Sequence, residues 1–189
     1  MEIYLLRSGH SDLAKAGDPY TPPLTELGEQ QARRLAERCL DWGIDFICTS
    51  EMTRAQQTTD IIQAAVPEAF RWDLSEIEAL NPDDLLGEPT TPPLVSRWSA
   101  RQRALGVERM WIRVTAALAR IMIFCQTHDM TRLAVVAHDD VINLLLLNWM
   151  GLDWRAHDQF AFAIGPGATS RVVLQDNQPA AIAWINRAP

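Results

Sequence analysis

The sequence predicts an α/β fold with a mostly parallel sheet, and three observations predict it. Short β-prone apolar runs end abruptly in polar loops, as at Ile3-Tyr4-Leu5-Leu6 before Arg7-Ser8-Gly9-His10. Strand, loop and helix then follow one another twice within the first 65 residues. Finally, Leu133-Ala134-Val135-Val136-Ala137 is continuously apolar, as a strand covered on both faces must be. Such alternation produces βαβ units, with functional loops at the carboxyl ends of the strands.

The first run, Ile3–Leu6, reads as a buried strand that delivers a polar loop, with Gly9 permitting a sharp turn. Beyond the prolines Pro19, Pro22 and Pro23, Thr25 reads as the N-cap of a helix. Its apolar positions Leu27, Ala32, Leu35, Ala36, Cys39 and Leu40 recur at three-to-four spacing, and Gly43 lies past its end. Phe46-Ile47-Cys48 is a second strand, followed by a polar turn, Thr49-Ser50-Glu51, and a helix over Thr53–Ala65 that Pro67 closes. The proline, glycine and acidic residues of Asn81–Pro93 mark a long loop with the length to act as a lid. A long amphipathic helix over Ser96–His128 follows, interrupted near Gly106, with Trp98, Trp111, Ile112, Leu118, Ile121, Met122 and Phe124 as core. After the Leu133–Ala137 strand a helix over Val141–Met150 ends at Gly151. The tail offers β-type runs at Phe160–Ile164, Ser170–Leu174 and Ala181–Ile185, divided by Gly165-Pro166-Gly167 and Asp176-Asn177 turns.

A chain of 189 residues fits one domain, 1–189, able to bury a core. Its net charge of −7 is the wrong sign for binding nucleic acid. The apolar run Val141–Trp149 falls well short of the ~20 residues that span a bilayer. The amino terminus lacks the order of a signal peptide, so a soluble, cytoplasmic protein is expected. The cysteines Cys39, Cys48 and Cys125 are odd in number and set among apolar neighbours, which points to buried free thiols and against disulfides or a zinc site. Imidazole chemistry has four sources, His10, His128, His138 and His157.

Two of them lie in loops that end strands, Arg7-Ser8-Gly9-His10 and Ala137-His138-Asp139, while Arg54 opens the helix after a third strand. In a parallel sheet such ends converge. Two arginines, an imidazole and helix amino termini together suit a phosphoryl group, whose oxygens match guanidinium forks and free N–H groups.

Four segments occur in a telling order: Leu5-Leu6-Arg7-x-Gly9, Pro23-Leu24-Thr25-x-x-Gly28-x-x-Gln31-Ala32, Thr49-Ser50-x-x-x-Arg54-Ala55-x-Gln57-Thr58 and Val135-Val136-x-His138. Together they resemble the histidine phosphatase superfamily, the phosphoglycerate mutase-like proteins. The resemblance implies a three-layer α/β/α sandwich and a metal-free, cofactor-free reaction. In it a histidine beside the first arginine attacks phosphorus, and water hydrolyses the phosphohistidine. It implies that Arg7 and Arg54 hold the phosphoryl oxygens and that His138 stabilises the transferring group. Glu76, in Leu74-Ser75-Glu76, would protonate the leaving oxygen, with Glu78 as the competing candidate.

The departures from the pattern matter as much. The superfamily's signature places histidine after the first arginine, and this chain has Ser8. A serine hydroxyl with no assigned base is a poor nucleophile. His10 lies two positions on, ~6–7 Å along an extended chain, and is expected at the rim of the pocket with Gly9. Asp139 and Asp140 follow His138 where the superfamily usually has glycine. Asp139 either caps the next helix or makes the pocket less hospitable to phosphate.

Three functional readings follow. The first is a histidine phosphatase-like protein whose hydrolysis of phosphomonoesters or phosphohistidine is strongly impaired. The second is a non-catalytic regulator that senses a phosphorylated small molecule or phosphoprotein. The third is an active phosphatase with an introduced His-to-Ser change at position 8. With only Lys15 as a basic residue in the first loop and none in Asn81–Pro93, a monoester is a better expectation than a bisphosphorylated substrate. Oligomeric state stays open.

Overall fold

Alternation along each parallel strand divides the apolar residues between two faces, and helices cover both. In the structure, a computed structural model describing residues 1–12, 22–85, 97–175 and 178–188, six strands form one sheet. The strands are β1 (Glu2–Arg7), β2 (Phe46–Ser50), β3 (Phe70–Leu74), β4 (Arg132–Ala137), β5 (Thr169–Val173) and β6 (Ala181–Arg187), in the order β3-β2-β4-β1-β5-β6. The first four in that order run parallel, while β5 and β6 pair antiparallel, so the sheet is mixed.

The helices are α1 (Glu26–Trp42), α2 (Thr53–Ala65), α3 (Ala100–Thr127) and α4 (Asp139–Trp149). Tyr4, Leu6, Ile47, Ala134 and Val136 pack under α1 and α2. Ile3, Leu5, Phe46, Cys48, Leu133 and Val135 pack on the opposite side with α3 and α4. β4 lies between β2 and β1 with Leu133–Ala137 buried, the placement its unbroken apolar run requires.

Several boundaries differ from those read from the sequence. Thr49 and Ser50 belong to β2 and are fully buried, because their hydroxyls find partners inside. Helix α3 is unbroken at Gly106, where the absent side chain admits the ring of Trp98; a Cβ there would lie 2.5 Å from that ring. It begins after Ser99, which forms a capping box with Gln102; Ser96 lies outside the described residues. Phe160–Ile164 forms no strand, and a 3₁₀ turn over Trp154–Asp158 precedes it. Leu27, Leu40 and Ile112, expected on buried faces, are exposed.

Of the Asn81–Pro93 segment, 86–93 lie outside the described residues, as do Lys15, Pro19 and the Asp176-Asn177 turn. The part that is described is anchored. Asp84 is buried and takes two hydrogen bonds from Arg113 on α3, whose guanidinium also donates to the carbonyls of Glu76, Glu78 and Ala79. All three cysteines are buried free thiols, and burial pushes the Cys39 thiol up to about 12.

Thr25 caps α1 as expected, its hydroxyl accepting from the Gly28 N–H, and Gly43 closes the helix in the left-handed region. Gly28 and Gly9 face each other: a Cβ on Gly28 would lie 2.1 Å from the His10 carbonyl oxygen, and one on Gly9 2.4 Å from the Gly28 carbonyl oxygen. Helix α1 is thereby pressed against the loop that follows β1. Gly28→Ala must push that loop away, so it is expected to cost about 2 kcal/mol or more of stability, read as a lowered urea midpoint at unchanged m.

Candidate functional site

The carboxyl ends of β1, β2 and β4 open into a cavity of about 260 Å³ lined by Arg7, Ser8, Gly9, His10, Ser11, Arg54, His138, Asp139 and Pro166. The strand pairing brings its two chemical loops together. Arg7 pairs with Ala137 in the β1–β4 ladder, and the Ser8 N–H continues it to the Ala137 carbonyl, 3.0 Å. Ser8 and His138, 130 positions apart in sequence, are therefore neighbours, both buried.

Positively charged groups converge there. Arg54 is largely buried, Nη2 meets the sulfur of Met52 at 3.3 Å, and Nη1 has no hydrogen-bond partner among the described residues. Burial pulls its guanidinium below the ordinary value, while Asp140 opposes that shift. Arg7 donates to the Ile164 carbonyl through Nη1, and its Nη2 lies 3.6 Å from Asp139 Oδ1.

His138 is completely enclosed. Burial, reinforced by Arg54, Arg7 and Arg113, pushes its imidazole well below the ordinary value, so the ring is neutral. Its Nε2 is bonded to Ser50 Oγ at 2.8 Å, and that oxygen accepts the Met52 N–H at 3.2 Å. His138 also supplies the backbone N-cap of α4. Asp139 is thus in the first turn rather than at the cap, and its side chain is 54% exposed on the cavity wall. Asp140 points away: it accepts the Leu80 N–H at 2.6 Å and the Val141 N–H at 2.8 Å. Burial raises its carboxyl above the ordinary range, and Asp139 adds to this.

His10 is held at the rim. Its Nδ1 bonds Thr25 Oγ1 at 2.9 Å, and its N–H donates to Gln31 Oε1 at 2.8 Å. The Gly9 N–H donates to Thr58 Oγ1 at 3.1 Å, and the Leu24 N–H to Gln57 Oε1 at 2.7 Å. The polar residues of the sequence segments thus have concrete tasks. Gln31, Gln57 and Thr58 fix the loop after β1, and Ser50 orients His138. Their presence in the motifs was visible, but their partners were not. Nothing in the sequence pointed to Ser11 or Pro166.

Glu76 is not brought to the cavity. Its carboxylate pairs with Arg120 on α3, at the edge of a separate cleft that includes Glu78, Asp84 and Arg113. Glu78 accepts from Asn81 Nδ2 at 3.2 Å, and its charge is felt by Arg54. Among the described residues, no group of three or more His, Cys, Asp or Glu could hold a metal ion, and no helix is long and apolar enough to cross a membrane.

The neutral, buried His138 sets a pH dependence. The folded state disfavours the protonated imidazole, so its contribution to stability is present above the ordinary value of 6.5 and is lost as pH falls below it. The slope is at most about 1.4 kcal/mol per pH unit, or about 3–6 °C in Tm for a chain of this size. Thermal melts between neutral and mildly acid pH are expected to show this slope, and His138→Gln to flatten it.

Comparison with known proteins bears on the fold and the family. Residues 3–187 match the model for the histidine phosphatase superfamily, branch 1. An Enterobacter protein named "Probable phosphoglycerate mutase GpmB" is 27% identical over 98% of this chain and 90% of its own. Among solved structures, the alpha-ribazole phosphatase of Shigella flexneri superposes with a TM-score of 0.73 at 19% identity, covering 100% of this chain and 97% of that one. A mycobacterial glucosyl-3-phosphoglycerate phosphatase, solved with VO3, gives 0.75 at 16% identity over 98% and 99%. The chain belongs to the histidine phosphatase superfamily, branch 1.

Proposed function

We propose that the cavity binds a phosphoryl group and that the superfamily's phosphohistidine reaction is strongly impaired in this chain. The observation that carries the reading is the buried Nη1 of Arg54, which has no partner among the described residues, beside the cavity that also holds Arg7. A buried donor without an acceptor is costly, and more so when it is charged. A phosphoryl oxygen supplies the acceptor, and two guanidinium groups match its charge.

His138 supports the same ligand. With Nε2 engaged by Ser50, whose oxygen already accepts the Met52 N–H, Ser50 can donate its own proton to Nε2. The imidazole then carries its hydrogen on Nδ1 and is a donor to an anion without being charged. The amino terminus of α4 adds its dipole.

Impairment rests on Ser8 and Glu76. The serine stands at the position of the attacking imidazole and cannot form the phosphohistidine. The glutamate that would protonate the leaving oxygen is held by Arg120. That second feature also favours a related reading, a binding or regulatory protein that senses a phosphorylated metabolite or phosphoprotein. The names of the similar phosphatases support a small phosphomonoester as the ligand.

Two measurements test the proposal. Calorimetry with inorganic phosphate is expected to show binding that Arg54→Ala abolishes. With a generic phosphomonoester and with phosphohistidine, turnover is expected near background. Ser8→His should raise it by about two orders of magnitude, while the displaced acid keeps it roughly 10²–10⁴-fold below a complete site. Ordinary enzymatic turnover lost in Ser8→Ala would refute the impairment.

A further inference from the structure

The cavity wall carries one charge of the wrong sign for a fully ionised anion. Asp139 lines the cavity beside Arg7, and at 3.6 Å the contact between them is an ion pair without a hydrogen bond. Asp140, one residue on, has its carboxylate engaged by the N–H groups of Leu80 and Val141. Among the described residues no donor occupies the Asp139 carboxylate in that way. Its acceptor capacity therefore faces the space into which Arg54 Nη1 and Arg7 would draw an anion.

An anionic oxygen that reaches Arg7 comes close to Asp139 as well. If that oxygen carries no hydrogen, two acceptors meet and repel. If it carries one, the contact becomes a charge-assisted O–H···O⁻ hydrogen bond, among the strongest available. Inorganic phosphate keeps at least one proton near neutrality, and a monoester, whose second pKa is about 6, is mostly dianionic there but takes up a proton at the cost of about one pH unit. Sulfate does neither. The local charges agree: Arg7 and Arg54 are positive, Asp139 is negative and His138 is neutral, which leaves room for one net negative charge more readily than two.

We propose that Asp139 is a specificity-determining residue that selects a protonated oxyanion: phosphate over sulfate, and a phosphomonoester in its singly charged form. This inference rests on the reading of the cavity as an anion site. A glycine at this position would impose no such filter.

The test is calorimetry at near-neutral pH and fixed ionic strength. Inorganic phosphate and sulfate are titrated separately into the full chain as wild type, Asp139→Asn, Asp139→Gly and Arg54→Ala. Wild type is expected to prefer phosphate by about tenfold or more, the worth of one hydrogen bond to a charged group. Both Asp139 variants are expected to gain sulfate binding until the two anions differ by less than about threefold, and the glycine variant covers a failure of the asparagine variant to fold. If wild type binds both anions equally and Arg54→Ala loses both, the selection by Asp139 is wrong while the anion site stands. A phosphate preference that survives both substitutions overturns the inference in the same way. If wild type binds neither anion at tens of millimolar, the anion site itself fails, and the inference with it.

Discussion

The parallel pairing of β1 with β4 is the constraint on which the rest of the site depends. It sets Arg7 opposite Ala137, and the chain leaves both strands at the same end of the sheet. Ser8, His138 and Asp139 are neighbours because two backbones are in register, and no side chain has to bring them together. The loop after β1 is then held from the other side by α1, where Gly9 and Gly28 approach too closely for any Cβ. Thr58 and Gln31 complete the restraint through the N–H groups of Gly9 and His10. The wall of the cavity is thus backbone fixed by sheet and helix, a rigid platform for groups whose spacing matters.

Electrostatics at this platform are arranged by burial more than by pairing. Arg54 has one buried nitrogen without a partner among the described residues, and His138 is buried to the point of neutrality. A buried guanidinium with an open donor is unfavourable in an empty, apolar setting and gains from an anion, whereas the neutral imidazole is the form that burial itself selects. The two aspartates after His138 divide their tasks by geometry. Asp140 turns inward and ties the backbone at Leu80 to α4, whereas Asp139 stays on the cavity wall beside Arg7. Consecutive carboxylates of the same type therefore act on different parts of the protein.

The region after β3 shows the same dependence on tertiary contacts. Arg113, one residue on the long helix α3, binds the carbonyls of Glu76, Glu78 and Ala79 and the carboxylate of Asp84. This clamp fixes the path of the chain past the site. Arg120, two turns further along the same helix, takes the Glu76 side chain. The resemblance offers Glu76, with Glu78 as competitor, as the candidate acid; the helix that packs against Glu76 decides where its carboxylate goes.

Much of the architecture was legible in the sequence, for identifiable reasons. The helix over Thr53–Ala65 was bounded by a polar turn and Pro67, and β4 by the apolar run Leu133–Ala137, so local chemistry defined both. Local rules failed where a distant partner overrode them. Thr49 and Ser50 looked like a turn and are buried strand, because Thr59 and His138 satisfy their hydroxyls. Gly106 looked like a helix break and is a seat for Trp98. Of the site, Arg7, Gly9, Arg54 and His138 were named by motif and Ser8, His10 and Asp139 by their places beside it, and all seven line one cavity, while Pro166 and Ser11 joined it through folding alone. The sequence by itself determined the apolar runs of β1 and β4, the cap Thr25 and the chemical identity of the groups, including the serine after Arg7. Only the tertiary structure decided which carboxylate reaches the cavity and which nitrogen of Arg54 has no partner among the described residues, because those depend on contacts between residues far apart in the chain.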